Sequence, residues 1–570
     1  MKKHIMIAVL SVLALFTSCE TTDLDKTQNP NALTPESANT DFFLNSIQED
    51  FVRQLEGDAD NDPNDNWPSG GAVNGDGFSI FGAQLTRMMA MTNTNSQNYA
   101  ATFQPTDFDD EWLNAYTGII KDIRTMTPLA EEAGQTRHIG IGQFIEAYTM
   151  VTLVDFFGDV PYSEAFQGEE AILNPNLDSG ADIYDAALVL LDNAIANFTG
   201  GVSTEPALDV FYDNDYSKWV KAANTLKMRI YLQRRLVDPN AMSSFNAIVN
   251  SGNYIQDTSD DFEYQWPGTN ASNPDSRHPR YGLNYTGVGV ADFQSNWFMN
   301  LMDTTDDPRI RYYFYRQVNA VPGQEIPSDQ SLIRCSTQQA PQHYIDGGYV
   351  FCNLPNGYWG RDHGQNDGRD PDAFHVTAHG VYPAGGKFDD NRFEGVSLVT
   401  GGQGAGITPI LTAAWVDFMK AEMALANGAT LPAKTAMMDG ISKSITKVQS
   451  FGALDPEADL SFEPSATDVS DYIDAVSANW DAASTAGKWD VLAEQFFIAT
   501  YGNGVESYNF YRRTGFPTTL QPNRSPSPGT FVRSIYYPAI AATTNSNIQQ
   551  KSDQTQPVFW DSNAQPPAAN

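Results

Sequence analysis

Apolar residues return at helical spacing through much of this chain. From Pro35 onward, Phe43, Ile47, Phe51 and Leu55 recur every four residues, with Pro35 and Glu36 suited to a first turn. Residues 57–78 then break all periodicity, and the spacing predicts helices over 79–99 and 108–132. The clearest pattern is 140–157, where Ile141, Phe144, Ile145, Tyr148 and Thr152 form one stripe and Gly158 supplies a stop. Comparable faces run over 181–198 (Tyr184, Leu188, Leu191, Ile195, Phe198) and 216–236 (Trp219, Ala222, Ala223, Leu226, Ile230). The helical signal returns at 408–427, at 430–450, and between 467 and 513.

Between 255 and 405 the period is lost: Gly, Pro, Asn and Asp dominate and aromatics are scattered. The pattern therefore divides the chain into a helical scaffold over 36–254, a loop-rich insert over 255–405, and a second helical part over 406–515. Residues 516–570 form a Pro-rich, polar C-terminal segment expected to pack on the core. The repeated helix pairs predict a mainly α, solenoid-like core, although no strict 34-residue period is visible. An insert of this length without internal structure is implausible, so short strands and helices are expected inside it.

The first residues carry a different pattern. Lys2 and Lys3 precede an apolar run from Ile5 to Phe16, then the small residues Thr17 and Ser18, then Cys19. The run is shorter than the roughly 20 residues that span a bilayer, and its layout is that of a cleavable signal. It predicts a signal peptide over 1–18, cleavage before Cys19, acylation of that cysteine, and a polar tether over 19–35. No later stretch approaches 18 apolar residues, so lipid is the only membrane anchor the sequence shows. The other two cysteines, Cys335 and Cys352, enclose 16 residues. Export favours a disulfide between them; two buried free thiols are the alternative.

Charge narrows the partners. The sequence has 34 Lys and Arg against 70 Asp and Glu, a formal −36, which repels nucleic acid and anionic membrane faces. A hydrophobic content of 41% separates it from disordered acidic proteins. A protein that holds neutral sugars offers aromatic faces beside amides, carboxylates and guanidiniums. Trp67, beside Asp65 and Asn66 in a polar loop, is the first candidate; the alternative is a tryptophan that pins its own loop. Tyr358 and Trp359 with Arg361, Asp362 and His363 form a second group, and Trp266 with Tyr281 and Tyr285 a third. Asp58, Asp60 and Asp62 alternate like the start of a calcium loop, but Pro63 and Ser69 stand where Gly and Glu are required. Structural calcium is thus a candidate only, and no other metal or cofactor is expected. His363, His375 and His379 lack the spacing of a zinc motif. Catalysis would rest on a carboxylate pair, which 70 acids supply by chance, and no nucleophile or phosphate-loop motif is present; binding is expected instead.

Several stretches together resemble one family: DFFGDVPYSEAF (155–166), YSKWVKAANTLKMRIYL (216–232), DDPR (306–309), GRDHGQNDGRDPDAF (360–374), VYPAGGKFDD (381–390), NFYRRTGFPTTL (509–520) and SIYYPAIAATTNSN (534–547). With the Cys19 motif, their order is similar to that of the SusD/RagB family of outer-membrane nutrient-binding lipoproteins, nearest its flavobacterial SusD-like branch. The resemblance implies tetratricopeptide-like helix pairs beneath a loop-rich ligand face. It also implies a surface-exposed lipoprotein that closes over a TonB-dependent, SusC-like barrel and delivers oligosaccharide, or alternatively peptide, to it. Trp219, Asn224 and Arg229 are expected to pack and cap, and Asp155, Asp159, Pro161 and Tyr162 to form a rigid corner.

Overall fold

The computed structural model describes residues 39–57, 77–92, 95–168, 171–201, 203–271, 275–322, 333–367, 372 and 374–563. The lipidation candidate Cys19, the aromatic candidate Trp67 with Asp65 and Asn66, and the calcium candidates Asp58, Asp60 and Asp62 all lie outside the described residues.

The molecule is mainly α-helical, and consecutive helices pack as antiparallel pairs. Thr136–Phe157 packs on Gly180–Thr199, which packs on Tyr216–Gln233, and Ala413–Ala426 pairs with Thr430–Gln449. Ala466–Ala482 and Thr485–Ala499 continue the second group. The stripe Ile141, Phe144, Ile145, Tyr148 is fully buried, as the 3.6-residue period requires of a core-facing helix. Local signals set the ends. Ser179 accepts from the Asp182 amide at 3.2 Å, Ser465 and Asp468 cap each other's backbone, and Gly158 stops its helix at φ 81°.

Other segments depart from the helical reading. The predicted 79–99 helix is only Phe78–Leu85, after which Arg87 turns left-handed at φ 61°. Residues 408–411 belong to a strand, Ile407–Leu411, and Thr412 caps the Ala413–Ala426 helix that follows. Ala241–Ser251 is an additional helix with only Ala241 and Phe245 buried, too thin a stripe to register as a period.

Two small ribbons tie the irregular region to the scaffold. Phe262–Gln265 pairs antiparallel with Ile407–Leu411, so the chain leaves and re-enters the helical core side by side. Phe314–Tyr315 pairs with Ala378–His379 inside the excursion, which also holds the short helices Pro279–Asn284, Asn296–Thr304 and Gln342–Gly347. Cys335 and Cys352 are joined by a disulfide and share a small core with Ile333 and Trp359. One close approach is set by glycine: a Cβ on Gly82 would lie 2.2 Å from the Gly504 carbonyl oxygen, so Phe78–Leu85 and Gly504–Thr514 touch backbone to backbone.

Residues of the family-like stretches converge on one carboxylate. Asp155 accepts from Tyr184, from Trp560 Nε1 at 2.9 Å, from Asn509 Nδ2 at 2.8 Å and from Arg229 Nη2 at 3.1 Å. Its carbonyl takes Arg512 Nη1 at 2.6 Å, and Arg229 Nε donates onward to Glu506 at 2.6 Å. Trp219 donates to Asp209 at 2.7 Å inside the core. These residues act as internal joints between helices.

Candidate functional site

Six of the sequence-predicted ligand contacts are interior, and the structure corrects that reading. Trp359 is fully buried against the disulfide, donates to the Ala320 carbonyl at 2.8 Å and stacks on His375. Arg361 is spent on Asp372, both carboxylate oxygens at 2.8 Å, and lies over Phe293. Asp362 accepts from Asn296 at 2.9 Å, Gln521 at 3.0 Å and the Cys352 amide at 2.8 Å, and burial pushes its carboxyl up. His363 shares a 2.8 Å bond with Tyr99. Trp266 donates to Thr408 at 2.9 Å, and Tyr285 to the His379 carbonyl at 2.6 Å while stacking on Tyr281. A loop aromatic whose ring is covered and whose polar atom is satisfied has no face left for a ligand.

His363 still has a measurable consequence. Burial, then the Arg87 charge, hold its imidazole well below the usual histidine range, so the folded state keeps it neutral. The unfolded chain takes up that proton below about pH 6.5, so stability is lost as pH falls through 6.5. His363→Gln is expected to flatten the acid limb of stability against pH by up to about 1.4 kcal/mol per pH unit, read from urea midpoints between pH 5 and 7. An unchanged slope would show that His363 is protonated in the folded state.

Tyr358 alone of that group reaches a surface feature, a cleft of about 810 Å³. One wall is the end of the Asn296–Thr304 helix and the turn through Asp306 and Pro308; the other is 462–475, where the Ala466–Ala482 helix begins. Arg309 staples the two together. It is fully buried, held by Asp307 at 2.8 and 2.6 Å, and reaches Ser444 at 3.0 Å and Tyr472 at 3.2 Å. Within the Asp-Asp-Pro-Arg stretch, Asp306, Asp307 and Pro308 line the cleft while Arg309 braces it from behind.

The lining alternates aromatic faces and polar heads. Arg316 is clamped by Asp389 at 2.6 and 3.0 Å and by the Asn356 carbonyl at 2.7 Å. Its guanidinium lies 5.0 Å from the Tyr358 ring centre and 5.2 Å from that of Phe393. Arg311 bonds the Asp389 carbonyl at 2.8 Å and Asn391 at 3.2 Å, and sits 5.6 Å from the Phe462 ring centre. Phe462 is 38% exposed. Asp303 accepts from Asn356 Nδ2 at 3.3 Å; burial raises its carboxyl against the opposing pull of Asn356 and Arg316. Four non-glycine lining residues, Asp306, Asn356, Asn391 and Phe393, have φ between 50° and 64°. Asp and Asn tolerate that region, whereas a phenylalanine there is a backbone outlier that the surrounding contacts must hold, at about 1–3 kcal/mol.

This is a polar, partly aromatic trough, suited to a ligand with many hydroxyls and some apolar faces. Among the described residues, no three His, Cys, Asp or Glu side chains are placed to hold a metal ion, and no helix is long and apolar enough to cross a membrane. Sequence reasoning reached Tyr358 but not Phe393, Phe462, Arg311, Arg316, Asn356 or Asn391. They come from separate segments, and no local spacing links them.

The fold is a helical scaffold that carries an irregular, cleft-bearing surface. Comparison with known proteins agrees. Residues 73–338 match a SusD-like model described as starch-binding, associating with the outer membrane, and residues 388–556 match the SusD and RagB outer membrane lipoprotein model. Among solved structures, a chitin-binding protein superposes with a TM-score of 0.64 at 18% identity, covering 92% of this chain and 100% of its own. A SusD homolog from Bacteroides fragilis gives 0.64 at 16% identity, with 92% and 99% covered. A chitin-binding SusD homolog from Flavobacterium johnsoniae gives 0.59 at 18% identity, again with 92% and 99% covered. No curated protein matches. The chain belongs to the SusD/RagB family, whose members are outer-membrane nutrient-binding proteins.

Proposed function

We propose that this protein is a cell-surface lipoprotein, acylated at Cys19, that captures a neutral oligo- or polysaccharide in the cleft bordered by Phe393 and Phe462. It then hands the glycan to a TonB-dependent, SusC-like transporter without cleaving it. The observation that carries the reading is the cleft's lining: aromatic faces held against fixed guanidiniums and amides, in a family of nutrient binders. Two structural relatives are described as chitin-binding, which makes N-acetylglucosamine oligomers the first ligand to try. A formal charge of −36 favours a neutral glycan over a sulfated or uronate one. Trp67, with Asp65 and Asn66, is proposed as a second sugar-stacking position on the ground of its polar sequence context alone.

Calorimetric titration with tetrasaccharides of N-acetylglucosamine, glucose and xylose tests the site. Phe462→Ala is expected to weaken the bound tetrasaccharide about tenfold or more, as loss of a central aromatic contact does, with the melting temperature unchanged. Trp67→Ala is expected to act in the same direction. Full affinity in Phe462→Ala would move the ligand away from this cleft.

A further inference from the structure

A second recess lies beyond the helix that begins the fold's clearest pair, and it shares no lining residue with the cleft. It has a volume of about 410 Å³ and is lined by Arg124, Tyr162, Ser163, Ala165, Phe166 and Gln167. Its distinctive member is Phe166. The residue is 45% exposed and left-handed at φ 68°, with its ring 6.3 Å from that of Tyr116. A phenylalanine free to choose would avoid both the backbone region and the exposure.

The turn that presents it is over-determined. The Asp178 carboxylate accepts the Tyr162 amide at 2.7 Å and the Ser163 amide at 2.9 Å, and Val160 bridges to Asp178. Glu164 accepts the Asn176 amide at 2.8 Å and its side-chain amide at 2.9 Å. These bonds hold the strained phenylalanine in one place. Beside it, Arg124 has a half-exposed head, one nitrogen of which bonds Glu146 at 2.6 Å while the guanidinium lies 5.7 Å from the Tyr162 ring centre. Tyr162 donates to the same carboxylate at 3.0 Å. Glu146 is itself buried, so one interior acid orients both the arginine and the tyrosine.

We infer that this recess is a second saccharide-binding site, for a short stretch of neutral glycan. Phe166 and Tyr162 supply ring faces; Arg124, Ser163 and Gln167 supply hydroxyl partners. The inference rests on the proposed glycan capture and extends it. The volume falls in the range of small-ligand sites, and the pairing of fixed aromatic faces with a fixed guanidinium repeats the chemistry of the larger cleft. Two sites on one anchored protein make the second contact with a polymer intramolecular, so a long glycan is held far more tightly than a short one.

Native mass spectrometry of the mature protein with N-acetylglucosamine and glucose tetrasaccharides tests it, alongside affinity electrophoresis on the matching polymers. Phe166→Ala is expected to carry one bound tetrasaccharide fewer than the wild type, and Phe462→Ala to lose a different one, so that the double variant loses both. Polymer retardation should fall at least tenfold in Phe166→Ala. Arg124→Ala provides a second, independent route to the same loss, should the turn not tolerate alanine at 166. Wild-type occupancy and retardation in both Phe166→Ala and Arg124→Ala would overturn the second site while leaving capture at the cleft intact. No binding by the wild type would overturn both readings.

Discussion

Asp155→Ala is expected to lower the unfolding free energy by about 3–5 kcal/mol, a large part of what an average domain has. The carboxylate is fully buried, and its partners come from four other segments: Tyr184, Arg229, Asn509 and Trp560. Alanine leaves the Tyr184 hydroxyl, the Asn509 amide and the Trp560 indole without this acceptor in the interior. It also leaves Arg229 with one carboxylate, Glu506, in place of two. Each orphaned donor costs its own desolvation, and the half-paired guanidinium costs more. Asp155→Asn keeps the shape but turns an amide toward donors, so an intermediate loss is expected. Urea unfolding followed by far-ultraviolet circular dichroism, which reports the helices as a whole, checks both. Wild-type midpoints in Asp155→Ala would mean that the helices are held together by apolar packing alone.

The second large effect is at the disulfide. Replacing Cys335 and Cys352 together by serine is expected to cost about 3 kcal/mol, the chain entropy that a loop of this size regains when opened. The bridge sits in a small core with Ile333 and Trp359, while neighbouring Leu354 and Tyr358 belong to the main core. The same segment delivers Asn356 and Tyr358 to the cleft, and the Cys352 amide orients Asp362. Stability and glycan affinity should therefore fall together, the first by chemical denaturation and the second by titration. A stable double-serine variant with wild-type affinity would show that the Asp362 network suffices without the bridge.

The scaffold was legible because burial of one helix face imposes a period, and Tyr184, Ala187, Leu191, Ala194 and Phe198 carry it along Gly180–Thr199. The same rule misled at 408–411, where Thr408, Pro409, Ile410 and Leu411 are all buried in a strand and Pro409 disfavours a helix interior. It was silent at Ala241–Ser251, which buries only two side chains. Chemistry in the insert was harder to read. Trp266, Tyr285 and Trp359 stand among Gly, Pro and Asn, as exposed loop residues do. Yet the irregular backbone folds over them, and their polar atoms find Thr408, the His379 carbonyl and the Ala320 carbonyl. Those partners lie 39 to 142 residues away, beyond any local pattern. The cleft is assembled in the same way, from positions between 302 and 475, and its left-handed Phe393 has no sequence signature at all.

Affinity gel electrophoresis tests capture most directly. The mature protein, with Cys19 replaced, would be run through gels containing neutral or anionic polysaccharides, with reducing sugar assayed in the same lanes. Retardation by a neutral glycan is expected, weakened in Phe462→Ala, with no sugar released. Retardation only by a polyanion, or release of reducing ends in the wild-type lane, would contradict it.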